Sequence, residues 1–154
     1  MEKFNFNLLK VDQLGFVFKD IDNQAKVMEK LYNLPPFLGW PEVEFPTKYK
    51  GKDAILKARA LFSKMGDPQS EVGEPQVELI QWIEGESPYK DYLEQGREGL
   101  HHLGMHVDDL DPYLKDFESK GIEILFYGEI GEGRFAYMDT ESTFGIIVEL
   151  IQRS

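Results

Sequence analysis

Four polar residues are placed so that they could share one piece of chemistry: Gln13, Glu78, His102 and Glu149. An amide oxygen, two carboxylates and an imidazole make a donor set that suits a divalent cation. Each residue also has an ordinary reading. Gln13 alone is a partly exposed polar residue near a strand start. His101 and His102 read as a surface pair, and the two glutamates as residues on the solvated face of an antiparallel sheet. The glutamates' neighbours argue against that last reading. Side chains alternate along a strand, so Glu78 shares a face with Gln76, Ile80 and Trp82, and Glu149 with Gly145, Ile147 and Ile151. A carboxylate among isoleucines is costly to bury unless it is paired or bound to metal.

The elements that must position these groups come from an internal repeat. The segments VDQLGFVFKDIDNQAKVMEKL, from Val11, and LHHLGMHVDDLDPYLKDFESK, from Leu100, align without gaps at an offset of 89 residues (His102 against Gln13). The offset pairs Gly15 with Gly104, Ile21 with Leu110, Ala25 with Leu114 and Met28 with Phe117. The last three pairs fall at i, i+4 and i+7, the apolar stripe of an amphipathic helix. Each half therefore reads as a strand followed at once by a helix, with Asp20 and Asp109 as caps. The pentapeptide VELIQ then recurs, from Val77 and from Val148, setting Glu78 and Glu149 at equivalent positions. Residues 37–45, 55–65, 122–127 and 134–139 read as further strands, separated by glycine, proline and acidic turns.

The predicted fold class is α+β, with two tandem βαβββ modules in one domain spanning residues 1–154. Module one covers about 11–82, a linking helix 88–94, and module two about 100–152. If a pseudo-twofold axis relates the modules, the four polar groups converge. Parity refines the picture. Leu14, Phe16 and Phe18 seat the first helix, leaving Gln13, Gly15 and Val17 opposite. Leu103, Met105 and Val107 pack under the second, leaving His102, Gly104 and His106 opposite. His101 is then expected to point away from the site. His106 shares the site's face, either reaching substrate or standing as a satisfied core histidine.

Composition excludes several classes of function. The chain contains no cysteine, so disulfide and thiolate chemistry are out and a cytoplasmic home is the default. A net charge of −11 repels nucleic acid and anionic membrane surfaces, although local Lys or Arg can still receive a small anion. No apolar run approaches the ~20 residues of a membrane helix, and the opening MEKFNFNLLKVDQLGF lacks the marks of a secretory leader. Gly128, Gly131 and Gly133 read as a turn rather than a phosphate loop, since no Lys-Ser or Lys-Thr pair follows. Asp108, Asp109 and Asp111 read as helix-start residues.

These motifs resemble the vicinal oxygen chelate superfamily, whose members include glyoxalase I, methylmalonyl-CoA epimerase, extradiol dioxygenases and antibiotic-resistance proteins. The resemblance runs from about Val11 to Gln152 and is strongest in EGLHHLGMHVDDLD and GRFAYMDTESTFGIIVELIQ. It implies a glyoxalase-like fold whose curled mixed sheets enclose a metal cavity. It further implies that Gln13, Glu78, His102 and Glu149 hold one divalent metal ion, with Zn, Co, Ni or Mn suiting the donors.

The stretch ESPYKDYLEQGREGLHHLGMHVDDLD is similar in layout to methylmalonyl-CoA epimerase, whereas the ligand set resembles that of some glyoxalase I enzymes (lactoylglutathione lyases). Both remove a proton next to a carbonyl or thioester. The implied function is a metal-dependent isomerase or lyase, with Glu149 as base and an acyl-CoA thioester or thiol hemithioacetal as substrate. One departure concerns AILKARALFSKM, which has no acid where the epimerase carries a second base; Arg59 is the nearest equivalent. Arg59, His106, Trp82 and Tyr137 are expected substrate contacts, with core packing the ordinary role of Trp82, Phe135 and Tyr137. An extradiol dioxygenase is disfavoured, because Gln13 occupies the place of its first histidine. A non-enzymatic binder of the same fold is a further alternative, against which the full ligand set argues. Pairing of two chains into a homodimer is left open.

Overall fold

The repeat folds as its pattern demands, strand first and capped helix second in each half. The computed structural model describes residues 1–8, 10–66 and 75–153. The first half contains β1 (Gln13–Val17), α1 (Ile21–Leu31), β2 (Leu38–Tyr49), β3 (Lys52–Lys64) and β4 (Gln76–Glu84). A short helix, α2 (Pro88–Glu94), leads into the second half. That half contains β5 (Gly99–Val107), α3 (Leu110–Ser119), β6 (Ile124–Ile130), β7 (Gly133–Met138), the one-turn α4 (Glu141–Phe144) and β8 (Ile147–Gln152). Asp20 caps α1 by accepting from Asn23 N at 3.0 Å, and Asp109 caps α3 by accepting from Asp111 N at 3.1 Å. Each such cap stabilises its helix by about 1 kcal/mol.

Several bounds differ from expectation for local reasons. β2 and β3 extend toward each other beyond 45 and 55 because Lys50 and Gly51, with φ of 51° and 77°, form a two-residue hairpin turn. Pro46 is tolerated inside β2 because that strand has a partner on its second side only from Thr47 to Tyr49. Ile122 lies in the turn that follows α3, its N–H donating to Phe117 O at 3.0 Å, so β6 begins later. The turn α4 was not anticipated; it closes on Gly145 at φ 97°, a left-handed position that suits glycine.

The eight strands form one mixed sheet that closes on itself in the order β1-β4-β3-β2-β6-β7-β8-β5. Each half contributes four neighbouring strands, and the halves meet at two seams. One is the antiparallel β1–β5 pair, which sets Gln13 opposite Gly104 and Gly15 opposite His102. The other is β2–β6, paired over only three positions. Past Thr47 these strands part, and the opening lies between Leu38, Gly39 and Trp40 on one side and the β6–β7 turn on the other.

Three apolar clusters hold this arrangement. Ile21 and Ala25 of α1 pack on Val77 and Leu79, with Phe16, Phe18 and Met28 beside them. Leu110 and Phe117 of α3 pack on Met105, Val107, Val148 and Leu150, with Leu103 and Leu114 adjoining. The third cluster fills one end of the barrel with Val17, Leu56, Ile80, Tyr89, Phe126, Phe135, Tyr137 and Ile147. Fully buried aliphatics such as Ile21 and Leu110 contribute about 1.5–3 kcal/mol each. Among the described residues, no helix is long and apolar enough to cross a membrane.

Candidate metal centre

The β1–β5 seam brings the predicted groups to one place. His102 is fully buried, and Glu149 and Gln13 are each 6% exposed. His102 Nε2 lies 3.1 Å from Glu149 Oε2 and 3.5 Å from Glu78 Oε1. The strands explain the grouping. β4 flanks β1 and β8 flanks β5, both in parallel, so the two VELIQ segments present their glutamates on either side of the seam.

Gln13 is buried rather than partly exposed, and it lines the same cavity. Its Nε2 donates to Gln76 Oε1 at 2.8 Å, which leaves the Gln13 amide oxygen as the atom free for the site. Gln76 acts here as an orienting residue that the sequence reading placed on the right face without giving it a role.

The donors fit a divalent ion. Ligand atoms of Glu78, His102 and Glu149 all lie within 4.8 Å of one another. Two ligands each about 2.1 Å from one ion, at 90–110°, would sit about 3.0–3.4 Å apart, close to the two spacings found at His102. Glu149 Oε2 is buried without a hydrogen-bond partner. His102 Nε2 faces it at 3.1 Å. A buried carboxylate oxygen left open in this way is costly unless a cation meets it.

Electrostatics in the metal-free protein agree. Burial pulls the His102 pKa down, but Glu149 and Glu78 outweigh it and hold it up at about 9. Burial raises Glu149, opposed by His102. Metal uptake at this site would therefore displace a proton from His102.

A cavity of about 840 Å³ opens onto this group and is lined by Gln13, Gln76, Glu78, His106, Phe135 and Glu149 among others. A smaller inner compartment of about 80 Å³ continues it, between Ala58, Ala60 and Ile80 on one side and Tyr89, Tyr137 and Glu149 on the other. Tyr137 OH lies 3.4 Å from His102 Nε2 and is hydrogen-bonded to Tyr89 OH. Burial raises both phenols well above their ordinary range, so they stay protonated as donors. His106 lies at the outer compartment, its Nε2 2.8 Å from Arg153.

Two expected substrate contacts, Arg59 and Trp82, make hydrogen bonds of their own. Interior positions of β3 are Leu56, Ala58 and Ala60, so Arg59 has the opposite parity. Although it borders the inner compartment, its guanidinium forks onto Asp22 of α1 at 2.9 and 3.1 Å. Trp82 shares the parity of Glu78 but stands two pleats further along. It packs against the interior cluster and donates to Gly85 O at 2.8 Å, away from both compartments. Glu44 lies on the exposed face of β2.

His101 is outside the ligand group, as its parity predicts, yet it is no surface residue: it is 4% exposed. The β1–β5 register shifts between Gly15 and Phe16, which makes His101 the extra residue of a bulge. Strand parity cannot foresee a bulge. Tyr89 was missed as well, because it reaches the inner compartment from α2, where no periodic pattern pointed at the site.

The model of the Glyoxalase/Bleomycin resistance protein/Dioxygenase superfamily matches residues 12–138. The chain belongs to that superfamily. No curated protein matched this superfamily member by sequence. Among solved structures it is similar to a single-site variant of Streptomyces coelicolor methylmalonyl-CoA epimerase in complex with 2-nitronate-propionyl-CoA. The TM-score is 0.68 at 20% identity over 96% of each chain. A methylmalonyl-CoA epimerase in complex with methylmalonyl-CoA and NH4+ gives 0.67 at 20% identity, again over 96% of each chain. The Mycobacterium tuberculosis epimerase gives 0.60 at 18% identity, over 94% of this chain and 87% of that one. At such identities the likeness is one of fold.

Proposed function

We propose that this superfamily member is a metal-dependent isomerase or lyase, most like methylmalonyl-CoA epimerase. It removes a proton from carbon next to a carbonyl or thioester of a small-molecule substrate. The observation that carries this reading is Glu149, a buried carboxylate with one oxygen open toward a cavity, beside a histidine and a second carboxylate. A base placed in this way contributes about 10²- to 10⁴-fold, or about 3–5 kcal/mol.

Gln13, Glu78, His102 and Glu149 would hold one Zn, Co, Ni or Mn ion, which supplies Lewis-acid stabilisation of charge developing on a substrate oxygen. The chain's own groups do the rest. Glu149 accepts the proton. Tyr137, backed by Tyr89, offers a hydroxyl to the substrate oxygen. Phe135, Ile80 and Ala60 keep water out of the inner compartment. His106 and Arg153 at the outer compartment can meet an anionic part of the substrate.

A second reading, a glyoxalase I-type lactoylglutathione lyase, is favoured by one specific observation. The interior face of β3 offers Leu56, Ala58 and Ala60 and no acid to serve as a separate second base. The proposed substrates are accordingly an acyl-CoA thioester or a thiol hemithioacetal. Metal-loaded protein assayed in deuterated water with methylmalonyl-CoA and with the glutathione hemithioacetal of methylglyoxal separates the two readings. Metal-dependent α-exchange of methylmalonyl-CoA supports the first, and thioester production from the hemithioacetal supports the second. Activity on either that is unaffected by chelator would sink both.

A further inference from the structure

We infer that His101 is a positioning residue for His102, accepting its Nδ1–H and so turning Nε2 toward Glu78 and Glu149. The inference rests on the metal-site reading and concerns the group standing behind the ligand. Both rings are buried and nearly perpendicular, at 85°, with Nδ1 of His101 3.0 Å from Nδ1 of His102. Two facing ring nitrogens at that distance need one donor and one acceptor.

The orientation of the His102 ring shows which is which. Its Nε2 faces Glu149 Oε2 at 3.1 Å and Glu78 Oε1 at 3.5 Å, and a histidine that ligates through one nitrogen keeps its proton on the other. With the metal bound, the proton between the rings therefore sits on His102 Nδ1, and His101 Nδ1 accepts it.

The bulge makes this possible. It inserts His101 into β5 directly before His102, and Tyr89 and Tyr92 enclose the extra ring at centroid distances of 5.5 and 4.9 Å. Tyr92 OH donates to Leu100 O at 2.9 Å, pinning the strand on the other side of His101. The linking helix α2 thus supplies the shell around the metal ligand's rear partner. Partners of this kind fix the tautomer and ring orientation of a ligating histidine, and their loss costs about 10- to 100-fold in metal affinity.

Two measurements test this. The first is ¹⁵N NMR of the imidazole rings in wild-type protein loaded with Zn(II). His102 Nδ1 is expected to carry a proton and His101 Nδ1 to be bare, and a proton found on His101 Nδ1 overturns the inference. The second is Co(II) titration of folded variants. His101→Gln keeps an acceptor oxygen and a donor nitrogen and is expected to bind within about threefold of wild type. His101→Phe fills the space without either and is expected to lose about 10- to 100-fold. Equal affinity of wild type and His101→Phe overturns the inference. If His101→Phe fails to fold, the ring spectra decide alone. If wild-type protein takes up neither ion, the metal reading fails and the inference with it; metal uptake with the proton on His101 Nδ1 overturns the inference alone.

Discussion

Gly15 of β1 lies directly across from His102 of β5, and the imidazole fills the space a side chain at Gly15 would need. A Cβ built there falls 2.0 Å from His102 Cε1. The relationship is reciprocal, since Gly104 lies opposite Gln13 and a Cβ there would meet Gln13 Cβ at 3.0 Å. Each half of the repeat thus provides a polar group and a glycine, and each glycine makes room for the other half's polar group. Gly15→Ala should push the His102 ring off its position. The expected result is more than a tenfold loss of metal affinity, with destabilisation of about 1–3 kcal/mol from overpacking. Metal titration and thermal unfolding read the two effects separately, and unchanged affinity would show that His102 does not need this space.

His102→Ala should lower metal affinity by more than the about 10- to 100-fold expected of His101→Ala. The first removes a donor atom, and the second only the ring that orients it. Equal losses on titration with the same ion would contradict the assignment of His102 alone to the ligand group.

The sequence revealed the repeat, the two capped helices and the face on which each polar group lies. Those features are local: caps, a 3.6-residue stripe and two-residue alternation act over a turn or a strand. Convergence of Glu78 with Glu149 followed from their equal places in VELIQ, because equal places in a repeat become symmetric places in a fold. What stayed hidden depends on departures from regularity or on distant partners. The bulge at His101 breaks parity at the residue next to a ligand. Arg59 borders the inner compartment, and the bond of its guanidinium to Asp22 on α1 joins residues 37 apart, which no local pattern announces. The packing of Phe4 and Phe6 against Phe117 comes from outside both modules, and no pattern announced it.

Glu149→Gln should separate binding from chemistry. The amide oxygen can still coordinate, as Gln13 is proposed to do, so part of the metal affinity should survive. Turnover on the true substrate should fall by about 10²- to 10⁴-fold, because an amide cannot accept the proton. Full activity in this variant would reduce Glu149 to a ligand. His106 would then be the next residue to examine, since Glu44 lies on the exposed face of β2.

Acid should release the N-terminal segment through Asp116. Its carboxylate accepts from Lys120 Nζ at 2.8 Å and from Asn5 N at 2.6 Å, and these contacts hold its pKa below the ordinary 3.8. A carboxyl with a lowered folded-state pKa adds stability that is complete above its unfolded value and lost as pH falls through the folded one. Residues 1–8, which pack Phe4 on Phe117 and Phe6 on Tyr113, should therefore loosen as pH drops below about 4. NMR of the Phe4 and Phe6 rings between pH 5 and pH 2 reads this directly. Asp116→Asn should abolish that transition, and an unchanged acid transition in the variant would assign it to another group.

The metal centre itself is tested most directly by a crystal structure of protein loaded with Co(II), with anomalous scattering recorded at the cobalt edge. The expected result is one strong peak per chain, coordinated by Glu78, His102 and Glu149 and by the amide oxygen of Gln13. A peak elsewhere, or no peak in protein exposed to excess Co(II) while those four side chains keep their positions, would contradict a metal-dependent function.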